Sequence, residues 1–219
     1  MKIQIVRDVL EANDQLADTI RTESHKSGLK LINIMSSPGS GKTSLLEKII
    51  PELKKKGIRV AVIEGDITTT ADAERIATLD IPVAQINTES FGGDCHLGAE
   101  VIMPALHQFE LNELDLVIIE NVGNLVCPAE FDTGSNYNFV VISTTEGEDK
   151  PLKYPLMFRV CDTTIINKTD LVPYLDMDIN LLRENIRKIK PQMRIIETSA
   201  KTGQNIPEIV NHVQTLLKQ

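Results

Sequence analysis

One glycine-rich stretch has residue types and a spacing suited to holding nucleotide phosphates. It reads Ser36-Ser37-Pro38-Gly39-Ser40-Gly41-Lys42-Thr43-Ser44, with an apolar run before it and a helical pattern after it. Glycines at a strand-to-helix turn let backbone N–H groups surround phosphate oxygens at the positive end of the helix. A lysine can reach the β- and γ-phosphates there, and a threonine hydroxyl can ligate Mg²⁺. We predict phosphate-binding residues Gly39, Ser40, Gly41, Lys42, Thr43 and Ser44, with Lys42 and Thr43 also catalytic.

The stretch departs from the general phosphate-loop pattern at one position. G-x-x-x-x-G-K-[ST] requires glycine where Ser36 stands. The alternative interpretation is a glycine-rich turn without a ligand. The apolar run at residues 31–35 and the Gly-Lys-Thr core favour nucleotide binding.

Two later motifs indicate that the base is guanine. Asn167-Lys168-Thr169-Asp170 follows an apolar run, and Ser199-Ala200-Lys201 follows another. The Asp170 carboxylate can accept from guanine N1–H and the exocyclic amine, a donor pair that adenine lacks. Either motif alone is weak, because lysine and aspartate commonly follow strands. Together they predict guanine recognition by Asn167, Lys168, Asp170, Ser199, Ala200 and Lys201, with GTP as the ligand.

Acidic residues after two other apolar runs are candidates for Mg²⁺ and catalysis. Glu120 follows residues 116–119, and Gly123 comes three positions later, where its N–H can face a γ-phosphate. Asp66 follows the run at residues 60–64. It is either a second acidic group near Mg²⁺ or the N-cap of a helix at residues 71–79. The polar segment after it, residues 67–70, is a candidate first switch.

Three further side chains could bind a softer metal ion. Cys95 and His96 are adjacent, and Cys127 comes four residues after Gly123. Two thiolates and an imidazole suit Zn²⁺ or Ni²⁺, and a fourth ligand could be water or come from a second copy of the chain. The spacing is not diagnostic, and cysteines that fill a core remain the alternative. Cys161 is interpreted as a core residue.

Composition restricts the class of protein. The chain has 219 residues, 42% hydrophobic, with a net charge of −8. The negative charge argues against nucleic acid or an anionic membrane as the main partner. No signal peptide or membrane-length apolar run is seen, which predicts a cytoplasmic protein. Three cysteines do not make a disulfide framework.

Alternating strand and helix patterns predict an α/β fold with a mostly parallel central sheet covered by helices on both faces. We expect residues 1–219 to form a single P-loop domain, with a lead-in helix within residues 1–28 whose pattern runs from 7 to 25. The predicted strands are 30–35, 58–64, 83–86, 116–120, 138–143, 163–167 and 194–197. The predicted helices are 42–56, 71–79, 96–109, 179–189 and 206–217.

Taken together, these motifs resemble the HypB family, GTPases that assist nickel insertion into [NiFe]-hydrogenase. The resemblance covers nearly the whole chain, and the family also has serine at the position of Ser36. It rests on Ser36–Thr43, Glu64-Gly65-Asp66, Asp94-Cys95-His96-Leu97, Glu120-Asn121-Val122-Gly123-Asn124-Leu125-Val126-Cys127-Pro128-Ala129, Ser143-Thr144-Thr145-Glu146-Gly147-Glu148 and Asn167–Asp170.

The resemblance implies a GTP-hydrolysing metallochaperone that forms a homodimer and acts with the hydrogenase large subunit and other maturation proteins. Cys95, His96 and Cys127 would bind Ni²⁺ or Zn²⁺ near the dimer interface, in a site coupled to the nucleotide. Lys150 or Lys153 would reach the partner's nucleotide, or would belong to a solvated loop. Intrinsic hydrolysis is expected to be slow, because no arginine finger or well-placed glutamine is evident.

Two positions depart from the family pattern, and three rival functions stay open. Residues 1–30 contain only His25 and no cysteine, so we expect no nickel store there. Gly98 stands where an acidic residue often follows Cys-His-Leu in the family. The rivals are a urease-accessory nickel GTPase, a regulatory GTPase without a metal role, and an ATP-dependent small-molecule kinase.

Overall fold

A seven-stranded, all-parallel sheet forms the centre of the computed structural model, which describes residues 5–67, 69–91 and 95–219. The strand order is β3-β2-β4-β1-β5-β6-β7. All seven predicted strands are present, with ends moved by at most three residues. The strands are β1 (Lys30–Ser36), β2 (Val60–Asp66), β3 (Val83–Asn87), β4 (Leu116–Gly123), β5 (Tyr137–Ser143), β6 (Thr163–Asn167) and β7 (Arg194–Glu197).

Helices cover both faces of the sheet, as predicted, but two regions differ from the prediction. They are α1 (Ile5–Ser27), α2 (Lys42–Lys55), α3 (Ala71–Ala77), α4 (Ala99–Leu106), α5 (Lys150–Lys153), α6 (Pro155–Val160), α7 (Ile179–Ile189) and α8 (Ile206–Leu216). The prediction that a helix starts at His96 is wrong, because α4 begins only at Ala99, after Gly98 in extended conformation. The short helices α5 and α6 were not predicted, because four and six residues are too few to show a helical period.

The lead-in helix α1 reaches the region of Cys95 and His96. Residues 1–4 of the predicted segment lie outside the described part of the chain. Asn13, which is buried, donates to the Asp132 carbonyl at 2.9 Å and accepts from the Ala99 N–H at 2.8 Å. The helix thereby fixes the first residue of α4.

Branched aliphatic residues build the core on each side of the sheet. The five inner strands are buried on both faces and are rich in isoleucine and valine, as expected for a parallel sheet under helices. Cys161 is fully buried beside Met157, as predicted for a core residue. Because all strands run in one direction, the loops that follow β1, β2, β4, β5, β6 and β7 meet at one edge of the sheet.

His212 on α8 gives the fold a pH dependence that can be measured. Its Nε2 lies 2.8 Å from the Thr163 hydroxyl, and its ring is stacked on Phe139. Burial, and then the charge of Arg194, lower the pKa of His212 below its usual 6.5. Protonation therefore favours the unfolded chain, and stability is lost as the pH falls through the usual histidine range.

We expect His212→Gln to reduce the fall in the free energy of unfolding between pH 7 and pH 5. Its stability at pH 7 should drop by roughly 1 kcal/mol for the lost hydrogen bond. Urea denaturation at the two pH values measures both quantities. His25→Gln, at an exposed position, is the control; an equal change in the two variants would contradict the prediction.

Candidate nucleotide and metal site

The loop after β1 has the backbone conformation that its glycines predict. Gly39 and Gly41 have φ of +72° and +96°, a region that side chains disfavour. At Gly41 a Cβ would also lie 2.6 Å from Nδ2 of Asn167. Thr43 and Ser44 follow in the first turn of α2, so N–H groups of the loop and of the helix start converge.

Ser36, the departure from the general pattern, holds the loop lysine. Its hydroxyl oxygen accepts from Nζ of Lys42 at 2.8 Å and its own hydrogen goes to the Ser37 carbonyl at 2.7 Å. Burial lowers the pKa of Lys42, partly opposed by the negative charge of Glu120. The ammonium group is therefore held, largely desolvated, at the place where phosphate charge would be favourable.

Two buried carboxyl groups lie on neighbouring strands at this edge of the sheet, and one of them contacts the threonine of the loop. Thr43 donates to Oε1 of Glu120 at 2.7 Å, and Glu64 stands opposite Glu120 in the β2–β4 register. Oε2 of each glutamate is buried without a hydrogen-bond partner in the described structure. Burial raises the pKa of Glu120, and burial together with the Glu120 charge raises that of Glu64 to about 8. Such unpaired oxygens beside a hydroxyl are chemically suited to a divalent cation such as Mg²⁺.

Asp66 ends β2 at the same edge of the sheet. Its Oδ1 accepts from the Thr69 N–H at 3.1 Å. The alternative role as helix N-cap is wrong, because the N-cap of α3 is Thr70. Of the predicted switch at residues 67–70, Thr68 lies outside the described residues.

Gly123, at the end of β4, touches the phosphate loop directly. A Cβ at this position would lie 2.9 Å from the Pro38 Cα, so only glycine permits the approach. The residue therefore lies beside the loop, as its predicted role near the γ-phosphate requires.

The two guanine-motif segments border one cleft of about 530 Å³ next to the loop. Asn167 joins them: its Nδ2 donates to the Ser40 carbonyl at 2.9 Å, and its Oδ1 accepts from the Ala200 N–H at 3.1 Å. Lys168 donates to the Gly39 carbonyl at 2.7 Å. The Ser199 hydroxyl donates to Oδ1 of Asp170 at 2.5 Å. The lining residues are Gly41, Ser44, Glu47, Lys48, Asn167, Lys168, Asp170, Leu171, Ala200 and Lys201.

Two of the three predicted soft-metal ligands are in contact. The sulfur atoms of Cys95 and Cys127 lie 2.8 Å apart, and this hydrogen bond is the main cause that raises the pKa of Cys95. His96 does not join them: its ring is stacked on Phe131 at 3.8 Å, with a buried Nδ1 that has no hydrogen-bond partner in the described structure. Consequently no group of three histidine, cysteine or acidic side chains is arranged around one point in the described ranges.

The donor chemistry nevertheless fits a soft or borderline divalent ion. Two thiols that already touch can bind one ion at the usual sulfur distance of about 2.3 Å after a small separation. The third donor is the unpartnered Nδ1 of His96, which is next to Cys95 in the chain. The three predicted ligands therefore lie in one region of the structure, but their donor atoms do not surround a common point in this conformation.

Sequence reasoning did not assign a role to three residues of this site. Ser36 was seen only as a departure, and Glu64 only as part of a motif. Arg75 on α3 donates to the Ser44 hydroxyl at 3.2 Å and is paired with Glu47 and Asp72. No signal in the sequence marks Arg75. The buried position of Glu64 after an apolar run could have indicated an acidic site residue.

Comparison with known proteins places this geometry in a family. Residues 30–197 match the family model described as "CobW/HypB/UreG, nucleotide-binding domain". A hydrogenase maturation factor HypB of Azotobacter chroococcum is 45% identical over 94% of this chain, and a probable one of Methanocaldococcus jannaschii is 39% identical over 99%. The chain spans about 66% of the length of the Azotobacter protein and 96% of the other.

Solved structures agree with these matches and confirm the predicted P-loop fold. HypB from Helicobacter pylori, in complex with nickel, superposes with a TM-score of 0.88 and 37% identity, covering 94% of this chain and 95% of that one. HypB from Archaeoglobus fulgidus gives 0.87 and 38%, covering 95% and 100%. In the described residues, no helix is long and apolar enough to cross a membrane. By sequence and by structure, the chain belongs to the HypB family of hydrogenase maturation factors.

Proposed function

We propose that this protein is a GTP-binding and GTP-hydrolysing metallochaperone that assists nickel insertion into [NiFe]-hydrogenase. One observation carries the proposal: β4 and its continuation bear Glu120 beside Thr43, Gly123 against the phosphate loop, and Cys127 against Cys95. Nucleotide and metal groups thus lie within eight consecutive residues. The family names of its relatives support hydrogenase as the recipient.

Guanine is bound, in this proposal, in the cleft next to the phosphate loop. Asp170 accepts from the two guanine donors, while Ser199 holds its carboxylate. Lys168 and Asn167 tie this base-binding region to the loop through Gly39 and Ser40. Ala200 and Lys201 close the other side of the cleft.

The phosphates lie over the loop, with Lys42 transferring its donor bonds from Ser36 to the β- and γ-phosphates. Thr43, Glu120 and Asp66 would hold Mg²⁺, which would neutralise charge on the phosphate oxygens. We assign orientation of the attacking water to Asp66. The Asn124 amide, which follows Gly123 in the chain, is instead engaged with the Cys95 carbonyl and the Val126 N–H.

Nickel, or zinc in its place, is the cargo in this proposal, and Cys95, His96 and Cys127 bind it. The nickel in the Helicobacter structure supports this assignment. Three ligands leave a tetrahedral site incomplete, and a second copy of the chain can supply the rest. The half-exposed Val126 next to Cys127 gives that homodimer an apolar contact. Lys150 lies near Glu146, which accepts from the Ser37 hydroxyl, whereas Lys153 is paired with Asp149, so we assign Lys150 to the nucleotide-binding edge of the chain.

A metal titration with and without a non-hydrolysable GTP analogue, followed by light scattering, tests the proposal. We expect the analogue to change nickel affinity and to increase the dimer fraction. Linkage requires nickel to change the affinity for the analogue by the same factor. A chain that stays monomeric with both ligands present would contradict the shared site.

Removing one thiol should weaken nickel binding without weakening nucleotide binding. We expect Cys127→Ala to lower nickel affinity by at least about tenfold and to leave affinity for the GTP analogue within about twofold, because Cys127 lies outside the nucleotide cleft. Isothermal titration with each ligand measures both. Cys161→Ala, which removes the same group from the core, is the matched control. Undiminished nickel binding by Cys127→Ala would exclude it as a ligand.

A further inference from the structure

Asn121 is a fully buried polar residue between Glu120 and Val122 on β4. Its Oδ1 accepts from the Leu97 N–H at 3.1 Å and from the Val122 N–H at 2.9 Å. Its Nδ2 donates to Oδ1 of Asn33 at 3.2 Å. Because both groups that face Oδ1 are donors, the amide has only one orientation that satisfies it.

Two further asparagines extend this contact across the sheet. Asn33 on β1 donates to Oδ1 of Asn138, its register partner on β5, at 3.2 Å. Asn138 in turn donates to the Val160 carbonyl at 3.4 Å. Buried amides are costly at positions where aliphatic residues could pack, unless their hydrogen bonds are made. The row of Asn121, Asn33 and Asn138 makes these bonds in sequence, while the orientation of the first amide is set by its own two donors, the Leu97 and Val122 N–H groups.

Leu97 is the residue directly after Cys95 and His96, and it packs against the strand with the acidic site residues. Its side chain is fully buried and lies over Gly65, where a Cβ would be 2.6 Å from its Cδ1. Gly65 stands between Glu64 and Asp66. The segment is therefore anchored by its backbone to β4 and by its side chain to β2.

A second amide from β4's continuation holds the other end of this segment. Asn124 donates to the Cys95 carbonyl at 3.3 Å, but it is only partly buried. The contact made by Asn121 is the buried one of the two, and Asn121 directly follows Glu120 in the chain. A displacement of Glu120 at the phosphate site moves the next residue, and with it the acceptor of the Leu97 N–H.

The geometry points to Asn121 as a positioning residue for the metal-ligand segment, residues 95–97. Its amide holds Leu97, and thereby places Cys95 against Cys127, with His96 next to Cys95 in the chain, in a position set by the nucleotide-binding strand. This inference rests on the proposed function and names the contact through which nucleotide regulates metal binding.

Nickel affinity of the full chain, without nucleotide, tests it. We expect Asn121→Ala to weaken nickel binding by about 10- to 100-fold, the range seen when a partner that orients a ligand is removed. Asn138→Ala, at the far end of the same row, should stay within about threefold of the parent. Asn121→Asp, which keeps the oxygen acceptor, should bind nickel better than Asn121→Ala. If the alanine variant does not fold, Asn121→Ser takes its place with the same expected loss.

Two further measurements separate positioning from general destabilisation. Affinity for the GTP analogue without nickel should stay within about twofold of the parent in Asn121→Ala. The ratio of nickel affinities with and without analogue should fall toward one. If Asn121→Ala and Asn138→Ala bind nickel with equal affinity, the inference about Asn121 is wrong, and the proposed function is unaffected. A parent that binds nickel but no guanine nucleotide overturns the proposed function, and the nickel comparison still decides the role of Asn121.

Discussion

Lys42→Ala is expected to lower GTP turnover by about 100- to 1000-fold. A charged donor aimed at developing phosphate charge contributes on the order of 3–4 kcal/mol in a site that excludes water. Nζ of Lys42 is held by Ser36 inside the loop, and burial lowers its pKa, so the group has little hydration to regain from solvent. Alanine removes the charge and leaves the backbone N–H groups of the loop in place.

Phosphate release at saturating GTP measures the effect, and two variants on the same helix define it. Lys55→Ala, an exposed residue paired with Glu52, should retain the parent's turnover. Thr43→Ala should instead raise the Mg²⁺ concentration needed for half-maximal activity, because its hydroxyl faces Glu120. Unchanged turnover in Lys42→Ala would mean that the loop has no catalytic part.

Most of the sheet and the phosphate loop could be predicted because local patterns determine them. Runs of buried isoleucine and valine end in glycine or polar residues, and these ends became the site loops. The start of α4 was misplaced because Leu97 continues the apolar helical spacing. Its side chain instead packs over Gly65, a tertiary contact that no local sequence pattern indicates.

The interior of the site was less predictable for the same reason. Ser36 acquires its role only when Lys42 folds back over it, and Glu64 only when β2 and β4 pair. The contact between Cys95 and Cys127 joins segments 32 residues apart. By contrast, the closeness of the segments at 167–170 and 199–201 could be predicted from the sequence, because each follows its own strand and parallel strands bring such ends together.

The arrangement along β4 would let one chain combine the two kinds of ligand of the proposed function. Consecutive residues alternate between the faces of a strand, so Glu120 and Asn121 serve different neighbours. Glu120 contacts Thr43 of the phosphate loop, while Asn121 contacts Leu97 of the metal segment. A shift of the strand end would therefore move both contacts, one on each face of the strand.

Asp170→Asn is expected to reverse the base preference of the nucleotide cleft. The Ser199 hydroxyl holds Oδ1 of Asp170, so the side chain is fixed toward the cleft in both the parent and the variant. In the proposed parent complex, the carboxylate accepts from guanine N1–H and the exocyclic amine. The variant offers an amide donor where that amine also donates, which leaves an unmatched pair and should weaken GTP binding by about 100-fold or more.

Xanthine nucleotides should compensate for this substitution, because xanthine carries a carbonyl where guanine carries the amine. The amide nitrogen that Asp170→Asn introduces can donate to that carbonyl, and the amide oxygen can accept from N1–H as well as from Ser199. Competition of XTP, GTP and ATP against a fluorescent analogue measures all three affinities. Asp176→Asn, the same change at an exposed position, controls for the lost charge. Equal affinity of the unmodified protein for ATP and GTP would exclude Asp170 as the guanine reader, since a carboxylate in that position cannot pair with adenine.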